Sequence, residues 1–178
     1  MNVIPAYAIL ALVALQRVAE LIYASRNVRA LRARGGVEHG RSHYPVLVAL
    51  HVSWLIAIGV GIARHPIIYW LPLALFALLQ ALRIWVLATL RGFWTTRVIT
   101  VPGAPLVQTG PYRYLRHPNY AVVVGEVATL PLVFGQILNA VIFSAANLAM
   151  LGWRIKVENA ALSPRRHPDS SSTQRAKQ

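Results

Sequence analysis

GPYRYLRHPNY, residues 110–120, sets two arginines, one histidine and three tyrosines within eleven positions, directly before an apolar segment that contains Glu126. Proline is tolerated in the first turn of a helix, where the N–H it lacks would have no partner, so Pro118 marks a helix start. The residues before it then form a polar collar leading into a membrane helix. A helix start gathers free N–H groups and the positive end of the helix dipole, and an anionic ligand group is favoured there.

Outward from the collar the chain is oily. Of its 178 residues 56% are hydrophobic and 13% charged, against roughly 25% charged in a typical soluble protein, which points to an integral membrane protein. The net charge of +13 does not indicate nucleic acid, because fifteen of the 18 Lys and Arg residues fall in three segments, 25–43, 91–117 and from Arg154 onward. Those segments alternate with apolar spans, as cytoplasmic loops facing anionic lipid do. Cysteine is absent, so thiolate metal sites are excluded; His39 and His43 lie among arginines without further ligands, and no metal is expected.

Five apolar stretches are long enough to be spans or nearly so: residues 3–24, 44–63, 67–90, 119–134 and 136–153. No basic run or small-residue cleavage site accompanies the first, so it is read as a retained span and not a signal peptide. The expected fold is all-α and polytopic, about five transmembrane helices with the N-terminus outside and the C-terminus cytoplasmic, forming one domain over 1–162. Residues 25–43 read as a basic interfacial helix followed by a loop that holds His39 and His43. Arg64-His65-Pro66 reads as a short turn, Val98–Val101 as extended and Pro102-Gly103 as a turn. The last two spans form a hairpin about Gly135, and 163–178 reads as a disordered basic tail. Gly59-Val60-Gly61 lies within a span with no strand before it and is no dinucleotide fingerprint.

Three of the five acidic residues, Glu20, Glu126 and Glu158, lie in or at the edge of these spans, where an ionised carboxylate is costly unless paired or functional. Gln16, Glu20, Tyr23 and Asn27 share one face of the first helix, and Gln80 and Arg83 share a face of the third. Arg83, buried by position, needs a counter-charge, and Glu20 and Glu126 are the candidates. On the last helix Ser144, Asn147, Leu151, Arg154 and Glu158 form one stripe directed at the collar. The residues alone thus describe a polar pocket at a membrane interface. Plainer readings stand beside that one: His117 and Tyr120 as cap and anchor of the fourth helix, Arg154 and Glu158 as a surface ion pair, His51 as a hydrogen-bonded packing residue, and Glu20 paired inside the bundle.

Arg116-His117-Pro118-Asn119-Tyr120, followed by Glu126 and by RIKVENAAL at 154–162, resembles the isoprenylcysteine carboxyl methyltransferase family, with its R-H-P-x-Y signature and later R-x-x-x-E-E. The N-terminal half, with RNVRALRARGGVEHGRSHYP, is also similar to a bacterial branch whose members methylate alkylpyrones or phenolic lipids. The resemblance implies a membrane enzyme using S-adenosylmethionine (SAM), a cofactor-binding half over 91–162, and an active site facing the cytoplasm from a bacterial inner membrane. It implies cofactor contacts from His117, Pro118, Tyr120, Glu126, Arg154 and Glu158, with Arg154, Glu158 and His117 nearest the chemistry. The acceptor implied is lipophilic or prenylated, and Arg83 and His51 are its candidate contacts. This chain departs from the family pattern at Asn159, where a second glutamate is usual, and at Ala121-Val122, where a glycine is usual. A carboxylate acceptor is already ionised and needs only an arginine to aim it; a hydroxyl needs a base such as His117 or Glu158. Both acceptors remain open at this point, as do a membrane reductase using a nicotinamide cofactor and an inactive lipid-binding scaffold.

Overall fold

A computed structural model describes residues 3–41, 43–64, 67–105 and 107–166, and among these the chain forms five α-helices and one two-stranded ribbon. Helix α1 spans Ile4–Ala33, α2 His43–Arg64, α3 Trp70–Leu90, α4 Pro118–Val133 and α5 Ile137–Arg166. Four of the five are long and apolar enough to cross a membrane; α4, with 16 residues, is shorter. At 1.5 Å per residue α4 reaches about 24 Å, short of the roughly 30 Å hydrocarbon layer.

Several boundaries differ from those expected. The basic segment after residue 24 is no separate interfacial helix: α1 runs unbroken to Ala33, because Ala24, Val28 and Leu31 keep a buried stripe at helical spacing until Gly35. Helix α3 starts at Trp70 and not at residue 67, since Tyr69 is extended and donates its N–H to the Val133 carbonyl at 2.7 Å. The last helix does not end near Trp153 but continues to Arg166, so residues 163–166, expected in a disordered tail, are helical; 167–178 lie outside the described residues, as do His65 and Pro66 of the expected turn.

The ribbon corrects the all-helical expectation. Strand β1, Val37–His39, pairs antiparallel with β2, Val98–Thr100, with Glu38 opposite Ile99. His39 therefore sits in a strand and not a solvated loop, its Nε2 2.9 Å from the Thr100 hydroxyl. Val98–Thr100 was legible as extended; its partner was not. Glu38 ties the ribbon down: its carboxylate receives Arg32, Arg97 at 2.7 Å and Arg41 at 3.4 Å. Burial pushes this carboxyl up, but the hydrogen bonds and charges of Arg97 and Arg32 outweigh that and hold it below the ordinary value of 4.5. A depressed carboxyl lends stability that is complete above 4.5 and is lost as pH falls through the lowered value. The thermal midpoint should therefore fall on acidification below pH 4.5, and Glu38→Gln should start lower and lose less over the same window. Parallel pH profiles for the two proteins would contradict this role.

Helices α3, α4 and α5 pack most extensively, with Phe76, Val127, Leu130, Val133 and Phe134 meeting Trp54, Ile58 and Ile62 of α2 in the core. Gly125 lets α4 approach α3, since a Cβ there would lie 2.8 Å from a Leu79 methyl. Helix α1 is joined to α3 and α4 by charge instead. Arg83 donates Nε and Nη2 to the two Glu20 oxygens at 2.6 and 2.7 Å, and Nη1 to Glu126 at 2.6 Å. Arg17 bonds Glu20 and Glu126 at 2.9 Å each, Gln16 shares Glu20 Oε1 with Arg83, and Gln80 donates to the remaining oxygen of Glu126. The expected counter-charges of Arg83 are thus the ones it has.

Candidate active site

The collar opens with a single 3₁₀ turn, Gly110–Arg113, packed against the end of α3. Gly110 has φ +56°, and a Cβ there would stand 2.5 Å from the Thr89 hydroxyl, so glycine satisfies both the backbone and the close approach. Pro118 opens α4 as its sequence position requires, and it is buried. His117 precedes the helix but makes no side-chain capping bond, which removes the capping reading. Its ring stacks on Tyr120 with centroids 5.3 Å apart, its Nδ1 lies 3.7 Å from Glu158, and its buried Nε2 has no partner.

Tyr120 is the junction of the site. Its hydroxyl donates to the Glu158 carboxylate and accepts from Arg154 Nε at 3.0 Å. Arg154 also donates Nη1 to the Thr96 carbonyl at 2.7 Å and is 7% exposed. Arg154 and Glu158 therefore do not form the surface ion pair that their i, i+4 spacing suggested; they share one phenol, and the arginine is buried.

Two cavities meet at this junction. The more polar one, of about 400 Å³, is walled by His117 just before α4, by Tyr120, Arg154 and Glu158 from α4 and α5, by Tyr112 of the collar, and by the β2 strap. Burial and then the negative charge of Glu158 push the Tyr112 phenol up, so it remains a hydrogen-bond donor. The second cavity, about 160 Å³, extends into the apolar bundle past Leu47, His51, Trp54, Val123 and Leu151. Trp94, Thr95, Asn119, Tyr120 and Arg154 border both.

The structure thus brings His117, Tyr120, Arg154 and Glu158 together on the polar cavity. Glu126 and Arg83 are elsewhere: both sit on the wall of the apolar cavity within the buried charge network, joined there by His51. Pro118 borders neither cavity and serves by fixing the start of α4. Sequence reasoning missed Thr96, which acts through its carbonyl and carries no side-chain signal. It also missed Tyr112 as a pocket wall, and Trp94, whose Nε1 reaches Asn119 at 3.4 Å. Among the described residues no three His, Cys, Asp or Glu side chains gather as a metal site would require.

Four helices long and apolar enough to cross a membrane, with two cavities that share a wall among them, describe an integral membrane protein. Residues 70–164, more than half of the chain, match the isoprenylcysteine carboxyl methyltransferase (ICMT) family, and the chain belongs to that family. It is 36% identical over 158 residues to an uncharacterized protein, YpbQ, of Bacillus subtilis, covering 86% of this chain and 94% of the relative. An uncharacterized protein of Haemophilus influenzae is 25% identical over 143 residues, 78% of this chain and 83% of that one. No solved structure matches the chain significantly. The family match takes in α3, the collar, α4 and most of α5 and leaves α1 and α2 outside.

Proposed function

We propose that the protein is a SAM-dependent methyltransferase that O-methylates a carboxylate or hydroxyl of a lipid-like or prenylated acceptor. It would do so in the inner membrane through five spans, α4 being the short one, with the N-terminus outside and the pocket and C-terminus cytoplasmic. The basic segments 25–43, 91–117 and 154 onward support that orientation. The observation that carries the reading is the wall common to the two cavities, where Tyr120 and Arg154 stand between a polar chamber and an apolar one.

The polar chamber fits the methyl donor. Its volume of about 400 Å³ is that of a small-molecule site. The unpartnered, buried His117 Nε2 is a polar atom that a ligand would satisfy, and Glu158 and Tyr112 offer an acceptor and a donor beside it. When bound, SAM supplies a methyl group on a positively charged sulfur, so the demand on the protein is alignment and exclusion of water. Arg154, fixed by Tyr120 and Thr96, is held at the wall where it can orient a carboxylate from the apolar side. For a hydroxyl acceptor, His117 or Glu158 takes the proton as the new C–O bond forms.

Membranes containing the protein, incubated with methyl-labelled SAM, should yield label in the organic extract, and Glu158→Gln membranes should yield about tenfold less or lower, as loss of a charge-assisted contact implies. Label released by mild base identifies a methyl ester; label that resists it identifies an ether. Consumption of a nicotinamide cofactor with no label transfer would replace this reading with the reductase, and neither activity would leave the scaffold.

A further inference from the structure

Buried N–H donors without partners are uncommon in folded proteins, because each has given up its bond to water for nothing in return. Three of them belong to residues lining the apolar cavity: Arg17 Nε, on a guanidinium already paired with Glu20 and Glu126, and two on neutral side chains. The indole Nε1 of Trp54 on α2 and the side-chain Nδ2 of Asn147 on α5 have no partner, and the two residues are 1% and 2% exposed. The helices that carry them pack together, and the His51 ring meets Trp54 edge-on at 6.2 Å, which steadies the indole. An unpaired buried donor lowers stability, so folding alone does not account for either N–H. Tyr120 and Arg154 line the cavity and are shared with the polar chamber. Leu21 of α1 and Val52 of α2, 40% and 50% exposed, also line it. The cavity is thus bordered both by the junction of the site and by residues at the outer surface of the bundle.

We propose that Trp54 and Asn147 form a headgroup subsite for an amphiphile whose polar head presents hydrogen-bond-accepting oxygens, its hydrocarbon leading out between α1 and α2. The proposal rests on the methyltransferase reading and deepens it, since the occupant is the methyl acceptor. Oxygens held by the two donors lie on the membrane side of Tyr120 and Arg154, which leaves the reacting end of the head at the common wall. Trp54 precedes residue 70, where the family match begins, so family membership does not assign this role.

Trp54→Phe and Asn147→Leu remove the donors, the first with a smaller ring and the second with a larger side chain at buried positions. The purified protein, without SAM, is titrated with dodecane, methyl dodecanoate and dodecanoate in detergent, and thermal midpoint and affinity are read. The two oxygenated probes should raise the midpoint and dodecane should not. Each variant should weaken methyl dodecanoate about fivefold or more, as loss of one hydrogen bond implies. Affinity for S-adenosylhomocysteine, a probe of the polar chamber, should stay within about twofold and so report an intact fold. Stabilisation by dodecane equal to that by methyl dodecanoate, or undiminished ester affinity in both variants, overturns the subsite. If the wild type binds SAM and the lipid probes are not discriminated, only the subsite falls; if it binds no SAM, the methyltransferase reading falls with it.

Discussion

Arg83→Met should lower the thermal midpoint by about 10 °C, the largest loss of any single substitution in the chain, since breaking a buried ion pair costs about 3–5 kcal/mol and each kcal/mol moves a chain of this size by about 2–4 °C. Arg83 is 7% exposed and places three guanidinium nitrogens on the carboxylates of Glu20 and Glu126, themselves 7% and 2% exposed. With Arg17 the four groups alternate in sign and carry no net charge. Removing Arg83 leaves two carboxylates facing one arginine in a membrane interior, where water does not compensate. Arg83→Met/Glu126→Gln restores the balance as an Arg17–Glu20 pair, so the double variant should be more stable than Arg83→Met alone, by about 1–3 kcal/mol of coupling. Arg83→Lys should not rescue, because one ammonium cannot replace a fork that spans two carboxylates. A double variant no more stable than the single one would show that charge balance is not what joins α1 to α3 and α4.

Tyr120→Phe should weaken SAM binding about tenfold or more and lower the midpoint by about 6 °C or more. The hydroxyl is the common partner of Arg154 Nε and the Glu158 carboxylate, and hydrogen bonds to charged groups contribute about 1.5–3 kcal/mol each. Its loss frees Glu158 to turn away from His117, while Arg154 keeps its second anchor, the Thr96 carbonyl at 2.7 Å. The fold should survive, since the ring still stacks on His117. Because the three side chains act through one oxygen, Tyr120→Phe/Glu158→Gln should cost little more than the worse of its single substitutions. Additive losses would mean that Glu158 acts independently of the phenol.

What the sequence disclosed followed from scarcity and from backbone rules. With five acidic residues in the chain, a charged Arg83 within an apolar stretch had few possible counter-charges, and Glu20 and Glu126 were the ones at membrane depth. Pro118 and Gly135 announced the start of α4 and the turn into α5 because proline and glycine carry their constraints locally. Strand β1 was hidden, being three residues whose pairing comes from a segment 61 positions away. The continuation of α1 through the arginine-rich stretch was hidden by its charge, although Val28 and Leu31 kept the helical spacing. At the site, the residues could be named but not their joint. An i, i+4 arginine and glutamate suggest each other, and nothing in the spacing says that a tyrosine 34 residues earlier stands between them. Glu126, seven residues after Asn119, looked like part of the collar's site, yet the helix turns it toward α1 and α3.

Equilibrium binding of SAM to the purified protein is the measurement closest to the central claim, that Tyr120, Arg154, Glu158 and His117 enclose a methyl-donor pocket. Saturable binding should weaken about tenfold or more in both Glu158→Gln and Arg154→Met, and persist in Tyr7→Phe, since the bond from Tyr7 to the Gly59 carbonyl borders neither cavity. The absence of saturable SAM binding, or equal affinity in the wild type and both pocket variants, would contradict it.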